Sequence, residues 1–407
     1  MVRSASIFVG VALAGGALVL LPSQDFLYER VGDVGVEVKE EVKLPEVEHL
    51  KTPESVKMVY MSACAAGSNT FRKHFKELVS TTELNSVMID VKDFSGTIAF
   101  QAQDERLDQD DAPGCFVSDM KELVAEFKEM GIYTIARITV FQDPYYAPRH
   151  PEQAVQKESD KSVWHDYKGL SFVDVGAREY WDYIVTLSEE TYALGFDELN
   201  FDYIRYPSDG DMKDIYYPIT NAQVEADPDY GKAHELKKFF AYLSSSLPEG
   251  AVTSADLFGM TTTNTDDLNI GQVMEYAYPY FDYIAPMTYP SHYPSGFYGI
   301  ANPNDHVYDV MKISLDKAVE RFESTSTIVP FDDSLAIAST TPQAYTKEVF
   351  DTDKIRPWIQ DFDYGGTYGP DKVRAQIQAV YDAGLDSWML WDPSNWYTKE
   401  ALLSSDI

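Results

Sequence analysis

From residue 57 onward, the sequence alternates short apolar runs with longer amphipathic stretches. A run of four to eight residues rich in β-branched and aromatic side chains is typical of a buried strand, and apolar residues recurring every three or four positions are typical of a helix. Because the two patterns alternate, they indicate βα units that build a parallel sheet. Eight strands are predicted, at residues 58–62, 86–92, 133–141, 198–206, 252–257, 283–289, 355–361 and 387–391.

The intervening stretches predict seven helices, at residues 71–80, 117–130, 177–194, 231–246, 268–276, 306–323 and 370–383. Gly131, Gly195 and Gly384 follow three of them, where glycine readily takes the left-handed conformation that ends a helix. Eight such units favour a single closed (β/α)8 barrel of the TIM type, with the long segments after strands three, four and seven as loop insertions on the catalytic face. An open doubly wound sheet is the alternative, but no glycine-rich phosphate loop follows the first strand.

The first 56 residues have a different character. MVRS carries one positive side chain and leads into an apolar run that ends at Pro22, which predicts a signal peptide or membrane anchor over residues 1–22. Residues 23–56 are acidic and contain lysine, without an apolar period, and they predict a linker. We therefore expect a barrel over residues 57–400 that lies outside the cytoplasm, either secreted or anchored to the membrane by the N-terminal segment.

Two cysteines, Cys64 and Cys115, each lie just beyond a predicted barrel element. A disulfide between them could persist in an exported chain. Two free thiols are the alternative, and the sequence favours them slightly over a bond.

Charge and motif content argue against several classes of function. The formal net charge of −33 would repel phosphate backbones and anionic lipid headgroups, so a nucleic-acid partner is not expected. The seven histidines include no HxH or HExxH pair, so we predict no metal site. A serine esterase is disfavoured because there is no GxSxG motif. We expect no cofactor.

The fourth predicted strand contains the polar residues that are hardest to explain as core. Within GFDELNFDYIRYPSDG, side chains alternate between the two faces of the strand, so Glu198, Asn200 and Asp202 share one face. An unpaired carboxylate is costly to bury, so this strand either forms a structural pair or contributes to a site at the mouth of the barrel. Arg205 lies three residues beyond Asp202 and is a candidate partner for it.

Five motifs occur in order along the barrel: IDVKD on strand two, FDYIRYP on strand four, PMTYPSHY after strand six, RPWIQDF on strand seven, and a tryptophan-rich last strand. Together they resemble a bacterial family of glycoside-hydrolase-type (β/α)8 barrels, distantly similar to the α-galactosidase-like superfamily. The resemblance covers residues 57–397. It implies a nucleophilic aspartate at the end of strand four, which corresponds to Asp202, and it implies neither a particular acid/base nor a particular substrate.

A second carboxylate is needed to protonate the leaving oxygen of a glycoside. Asp256, Asp361 and Asp392 stand at the ends of strands five, seven and eight, and Asp256 is our first choice. Neighbouring strands lie about 4.8 Å apart, so Asp202 and Asp256 would be close to the roughly 5 Å separation of a retaining enzyme. A pair of Asp202 with Asp392 would reach across the barrel toward the inverting range of about 6.5 to 9.5 Å.

Other polar and aromatic residues near strand ends are candidates for substrate contact. Asp90 and Lys92 are predicted to share one face of strand two, where an internal ion pair is the alternative to a role in substrate binding. Aromatic rings at strand ends can stack on the apolar face of a pyranose. For any single ring the sequence favours packing, but we expect at least one of them to stack on sugar. The predicted substrate-binding residues are Asp90, Lys92, Arg137, Asn200, Arg205, Tyr289, His292, Trp358, Asp361, Trp391 and Asp392.

These observations lead to one working hypothesis and one alternative. We expect a retaining glycoside hydrolase that acts on an extracellular or cell-envelope polysaccharide or oligosaccharide, with Asp202 as nucleophile or charge stabiliser and Asp256 as general acid/base. The alternative is a catalytically inactive barrel that binds glycan in the cell envelope. A pure binding protein needs stacking aromatic residues but no paired acids. The sequence offers both kinds of residue.

Overall fold

A computed structural model describes residues 47–330, 335–337 and 340–405. The strands of this part of the chain are β1 (Lys57–Met61), β2 (Ser86–Lys92), β3 (Tyr133–Thr139), β4 (Glu198–Asp202), β5 (Val252–Phe258), β6 (Tyr283–Met287), β7 (Ser326–Thr327), β8 (Ala336–Ile337), β9 (Ala344–Thr346), β10 (Trp358–Gln360) and β11 (Trp388–Trp391). The helices are α1 (Ala63–Ala66), α2 (Asn69–Thr81), α3 (Met120–Glu129), α4 (Arg178–Ala193), α5 (Asn221–Ala226), α6 (Gly231–Ser246), α7 (Met274–Ala277), α8 (Val307–Glu323) and α9 (Pro370–Asp382).

Eight strands form a closed parallel barrel in the order β1, β2, β3, β4, β5, β6, β10, β11, with β11 paired to β1. The predicted (β/α)8 barrel is confirmed, and the seventh and eighth predicted strands correspond to β10 and β11. A closed barrel has no unpaired sheet edge, and all eight strands end at the same face. The loops that follow them therefore surround one common opening.

Side chains on alternate positions of the strands fill two separate apolar layers. One cluster is built almost entirely from strand positions and includes Met58, Met88 and Met389, so it fills the inside of the barrel. The other cluster joins the outward positions of the strands to the helices, for example Phe201 of β4 to Phe239 of α6. The alternation that places Phe201 outside the barrel places Glu198, Asn200 and Asp202 inside it, as predicted.

The floor of the barrel contains an ion pair. Glu198, at the start of β4, contacts Nη1 of Arg356 at 2.7 Å and accepts a hydrogen bond from the hydroxyl of Tyr133 at 3.1 Å. Both charged side chains are almost fully buried. A buried carboxylate with these partners has its charge compensated, which gives Glu198 a structural role at the end of the barrel opposite the strand ends.

Two features of the fold depart from the sequence predictions. The predicted helix at 268–276 is reduced to α7, because Leu268 and Asn269 take left-handed backbone conformations with φ of 51° and 57° that a helix cannot include. In addition, β7, β9 and β8 form a small antiparallel sheet before β10. Strands of two or three residues carry too little periodicity to be recognised from sequence.

The last ten residues of the predicted linker pack against the barrel. The imidazole of His49 stacks on the ring of Tyr192 at 3.8 Å, and its Nδ1 lies 2.8 Å from the carbonyl oxygen of Phe196. The backbone N–H of Leu50 donates to Oδ1 of Asp197 at 2.6 Å. The predicted leader and the rest of the linker lie outside the described residues. Within residues 47–330, 335–337 and 340–405, no helix is long and apolar enough to cross a membrane.

Cys64 and Cys115 form a disulfide, with their Cα atoms 5.0 Å apart. The slight preference for free thiols was therefore wrong. Cys64 lies in α1, directly after β1, and Cys115 lies in the loop that follows β2. Because β1 and β2 are neighbours and both loops emerge at the same face, two cysteines 51 residues apart in sequence come together.

Candidate active site

Asp202 is the last residue of β4 and points into the mouth of the barrel. The next residue, Tyr203, takes a left-handed backbone conformation with a φ of 50°, which is uncommon for a residue with a side chain and ends the strand. Its backbone N–H donates to Oδ1 of Asp202 at 2.6 Å. The sharp turn after β4 therefore helps to hold the carboxylate of Asp202 in place.

Arg137, on the neighbouring strand β3, is the ion-pair partner of Asp202. Its Nη2 contacts Oδ2 of Asp202, and its Nη1 contacts Oδ1 of Asp90 at 2.7 Å. The hydroxyl of Tyr60 donates to the other oxygen of Asp90 at 2.5 Å. Burial alone would lower the pKa of Arg137, but the carboxylates of Asp202 and Asp90 outweigh it and raise that pKa well above its usual value. Arg137 is thus a permanent positive charge beneath Asp202.

The expectation that Arg205 pairs with Asp202 was wrong. In the paired strands β3 and β4, Thr139 lies opposite Asp202. Arg137 comes two residues before Thr139, so its side chain points into the same barrel interior as that of Asp202. Arg205 lies beyond the turn at Tyr203, where the regular alternation of the strand has ended. Arg205 still lines the mouth of the barrel, on another part of its surface.

Asp256, on β5, lies beside Asp202 in a different environment. Its Oδ1 accepts hydrogen bonds from Nδ2 of Asn200 at 3.1 Å and from Nε1 of Trp358 at 2.8 Å. Its Oδ2 has no hydrogen-bond partner among the described residues and is not sealed from the surface. Burial, and then the nearby charge of Asp202, raise the pKa of Asp256 well above its usual value. The protonated form of Asp256 is therefore favoured, with Oδ2 as the oxygen free to carry the proton.

A cleft of about 810 Å³ opens above these two carboxylates. Loops after β3, β4, β5, β6 and β10 contribute to its walls, which agrees with the predicted catalytic face. Among the residues expected from sequence to form the site, eight line this cleft: Arg137, Asp202, Arg205, Asp256, Tyr289, His292, Trp358 and Trp391. Trp391 is partly exposed there, while Trp358 is buried with its indole N–H directed at Asp256.

Asp90 and Asn200 do not line the cleft. Both are buried beneath it, Asp90 against Arg137 and Asn200 against Asp256 and Ser254. The structure therefore places them where they position the side chains that line the cleft, and not in the cleft wall itself.

Lys92 is farther away, on the outside of the barrel. Its Nζ lies 3.0 Å from Oδ2 of Asp143 and donates to the backbone carbonyl of Thr139 at 2.7 Å, and its side chain is fully buried. The register between β2 and β3 shifts between Asp90 and Lys92, so one extra residue reverses the alternation there. The prediction that Asp90 and Lys92 share a face was wrong for this reason, and Lys92 is part of a structural ion pair.

Asp361 and Asp392 also lie outside the cleft. Asp361 accepts hydrogen bonds from the hydroxyl and the backbone N–H of Thr398, at 2.6 and 2.8 Å. Burial raises the pKa of Asp361 to about 7 even though the bonds from Thr398 act in the opposite direction. Asp392 accepts a hydrogen bond from the backbone N–H of Ser394 at 2.7 Å and shapes a turn. Both carboxylates hold the C-terminal segment and neither is part of the cleft wall, so the structure does not bring them together with the other predicted site residues.

Sequence reasoning missed several residues of the site. Tyr60, which supports Asp90 and stacks on Trp391 at 4.0 Å between ring centroids, faces the barrel interior and could have been found from the alternation along β1. The loop residues that line the cleft had no comparable signal, because no strand fixes their direction. They include Gln142, Asp166, Lys168, Phe362 and Tyr364, whereas Phe258, which also lines the cleft, is the last residue of β5. Within the described part of the chain, no group of three or more His, Cys, Asp or Glu residues is placed to hold a metal ion.

Comparison with known proteins connects this geometry to a family. A family model described as "Putative glycosyl hydrolase domain" matches residues 58–397, which span the barrel. The chain belongs to this family. It is accordingly an enzyme of the glycosidase type, as the five motifs in the sequence had implied. No curated protein matches the sequence.

Solved structures with the same fold are distant in sequence. The PgaB (BpsB) glycoside hydrolase domain from Bordetella bronchiseptica is 14% identical, covers 86% of this chain and 99% of its own, and has a TM-score of 0.59. The alpha-L-fucosidase isoenzyme 2 from Paenibacillus thiaminolyticus is 13% identical, covers 85% of this chain and 48% of its own, and has a TM-score of 0.52. A hypothetical protein from Ruminiclostridium thermocellum is 27% identical over 49% of this chain and 96% of its own, with a TM-score of 0.42. The first two confirm the barrel fold.

Proposed function

We propose that the protein is a retaining glycoside hydrolase in which Asp202 is the nucleophile and Asp256 is the general acid/base. The observation that carries the proposal is the contrast between these two neighbouring carboxylates. Asp202 is held by the cation of Arg137, whereas Asp256 has a raised pKa and a free Oδ2 that faces the cleft. One carboxylate paired with a cation beside a carboxyl group whose pKa is raised is an arrangement suited to a nucleophile and an acid.

The positions of the two residues support the retaining mechanism. Phe201 of β4 is paired with Ala255 of β5, so Asp202 and Asp256 follow at the same level on adjacent strands. Adjacent strands lie about 4.8 Å apart, which agrees with the roughly 5 Å separation of carboxyl groups in retaining enzymes. An inverting enzyme would need a wider gap to accommodate a water molecule between sugar and base.

In the first step, Asp202 attacks the anomeric carbon while Asp256 gives its proton to the glycosidic oxygen, and the leaving sugar departs as an alcohol. In the second step, Asp256 removes a proton from water, and the resulting hydroxide displaces Asp202 from the sugar. Arg137 stabilises the carboxylate of Asp202 as it is released. The indole of Trp358 and the amide of Asn200 stabilise Asp256 in the charged form that it takes between the two steps.

We further propose that the substrate is a polysaccharide or oligosaccharide outside the cytoplasm, at the cell envelope or beyond it. The apolar leader supports this location. The disulfide between Cys64 and Cys115 also supports it, because such bonds persist mainly in oxidising compartments. The partly exposed ring of Trp391, beside the two carboxylates, is suited to stack on a sugar ring.

The alternative is a barrel that binds glycan without cleaving it. The environment of Asp256 argues against it, because a pure binding site gains nothing from a carboxyl group whose pKa is raised by burial and by a neighbouring carboxylate. Asp256 together with Asp202 is better explained by catalysis.

Hydrolysis of a panel of cell-wall glycans and exopolysaccharides by the parent protein, Asp202→Asn and Asp256→Asn tests the proposal. We expect Asp202→Asn to abolish turnover, and Asp256→Asn to retain more activity on aryl glycosides, whose leaving groups need little protonation. Asp392→Asn is the matched control, because it changes a strand-end aspartate that lies outside the cleft. Parent-like rates for Asp202→Asn would refute the assignment, and an NMR spectrum showing inverted anomeric configuration in the first product would refute the retaining mechanism.

A further inference from the structure

Arg205 is a buried cation that lines the cleft without an acidic partner. It is 7% exposed, and no carboxylate oxygen of the described residues lies within the 4.0 Å of an ion pair. Its one hydrogen bond runs from Nη1 to the backbone carbonyl of Tyr206, at 3.1 Å. Nε and Nη2 have no partner in the described part of the chain, and neither belongs to the polar atoms sealed from the surface. These donors are therefore free to bind a ligand in the cleft.

Two aromatic rings hold the guanidinium of Arg205 in place. Its central carbon lies 4.8 Å from the ring centroid of Tyr203 and 4.8 Å from that of Phe258. A guanidinium held between rings keeps its N–H groups in a fixed fork, and this geometry matches the two oxygens of a carboxylate. Arg205 is thus oriented before any ligand arrives.

The cost of burying Arg205 indicates what kind of ligand fits. Burial lowers the pKa of Arg205, although the nearby charges of Tyr203, Asp202, Asp209 and Asp166 act in the opposite direction. Among the described residues none of these carboxylates is within ion-pair distance, so the buried cation is only partly compensated. Arg137 is buried to a similar extent but has two carboxylates beside it. An anionic ligand would give Arg205 the compensation that Arg137 receives from the protein, whereas a neutral hydroxyl would supply a hydrogen bond without the charge.

We propose that Arg205 binds a carboxylate of the substrate, so that the enzyme recognises a glycan with an acidic sugar, such as a uronic acid, near the bond that is cleaved. This inference rests on the proposed glycosidase function and assigns a substrate class to the same cleft. Lys168 is an exposed second cation in the cleft wall. It strengthens the local positive charge without the fixed geometry of Arg205.

The acidic groups of the protein limit how many charges the substrate can carry. Asp166 lines the same cleft, but its Oδ1 is occupied by the backbone N–H groups of Lys168 and Leu170, at 2.8 Å each. The net charge of −33 repels polyanions. At physiological salt this repulsion is screened beyond about 8 Å, so it acts on the charges of a substrate that lie close to the protein. The substrate class is therefore a mostly neutral glycan with isolated carboxylates, as opposed to a continuous polyuronate.

The test measures binding in the Asp256→Asn background, so that substrates are not consumed. The probes are oligosaccharides that combine neutral sugars with one glucuronate or galacturonate, each compared with its own carboxyl-reduced form at about 0.15 M salt. We expect the acidic form to bind about ten- to a hundredfold more tightly than the reduced form, as is typical of a charge-assisted hydrogen-bond pair. Arg205→Gln should remove this preference, and Arg205→Lys should keep part of it.

Lys168→Gln is the matched control, because it removes one positive charge from the same cleft at an exposed position. The proposal is overturned if reduced and acidic forms bind equally, if Arg205→Gln keeps the preference, if Lys168→Gln abolishes it equally, or if no acidic probe binds. Thermal melting of each variant checks that it is folded. If Arg205→Gln does not fold, Arg205→Lys is used in its place to test the preference for the acidic form. Hydrolysis by the parent is measured separately, so a failure of the glycosidase assignment is distinguishable from a failure of the carboxylate preference.

Discussion

Arg137 lies between two buried carboxylates, and its removal would leave both without compensation. Asp90 and Asp202 each contact one of its guanidinium nitrogens, and all three side chains are less than a tenth exposed. Removing one partner of a buried ion pair typically costs about 3 to 5 kcal/mol. At about 2 °C per kcal/mol for a domain of this size, we expect Arg137→Met to lower the melting temperature by about 6 to 10 °C.

The loss of melting temperature in Arg137→Met should depend on pH in a defined direction. Burial already raises the pKa of Asp90 in the folded state while the charge of Arg137 opposes that shift, so removing the cation should raise this pKa further above its unfolded value of about 3.9. A carboxyl group with a raised folded pKa costs little below its unfolded pKa and costs progressively more as pH rises toward its folded pKa. The melting temperature of Arg137→Met should therefore fall further below the parent at pH 8 than at pH 5.

Scanning fluorimetry of the parent, Arg137→Met and the double variant Arg137→Met/Asp90→Asn at both pH values measures this effect. The double variant carries one buried charge fewer, so it should recover a substantial part of the loss at pH 8. An equal loss at both pH values, or no recovery in the double variant, would show that Arg137 stabilises the barrel through packing against Trp391 and Tyr60, whose ring centroids lie 5.2 and 5.7 Å from its guanidinium carbon.

Three other perturbations have defined outcomes. Because the pKa of Asp361 is raised to about 7, the melting temperature of the parent should fall as pH rises from about 4 to 7. Asp361→Asn should reduce this dependence of melting temperature on pH, and an unchanged dependence would contradict the raised pKa. Trp391→Ala should weaken glycan binding measured by calorimetry while the protein stays folded, and a large drop in melting temperature with unchanged affinity would indicate packing alone. Replacing both Cys64 and Cys115 with Ser should cost about 2 to 5 kcal/mol in chemical denaturation, and equal midpoints for the variant and the oxidised parent would contradict this.

The sequence was sufficient to predict the parts of the fold that follow from regular periodicity. Buried parallel strands appear as apolar runs, and the eight runs correspond to the eight strands of the barrel. Alternation along strand four placed Asp202 inside the mouth, and the spacing between neighbouring strands placed Asp256, at the end of strand five, beside it. Both inferences hold because β4 and β5 are regular up to the positions in question.

Errors occurred where the backbone leaves that regularity. The register shift after Asp90 turns Lys92 to the outside of the barrel, and no local sequence pattern reveals a single extra residue. Asp361 and Asp392 stand at or beyond the ends of their strands, where the side-chain direction depends on the loop. Their partners, Thr398 and Ser394, come from the C-terminal segment, whose path cannot be read from alternation.

Two carboxylate–arginine ion pairs lie inside the barrel at different depths. In each pair a carboxylate of β4 contacts an arginine. Glu198 contacts Arg356, which lies just before β10, and Asp202 contacts Arg137 of β3. Glu198 lies at the floor beneath the apolar layer and does not line the cleft, and its Oε2 pairs with Arg356 while its Oε1 is buried without a hydrogen-bond partner among the described residues. Asp202 lies four residues further along, where the strands end and the cleft begins, and no lysine or arginine of the described residues forms an ion pair with its neighbour Asp256. Depth within the barrel therefore separates a carboxylate buried in the floor from the one that we propose as the nucleophile, and a sequence that shows both on one face of one strand does not contain that depth.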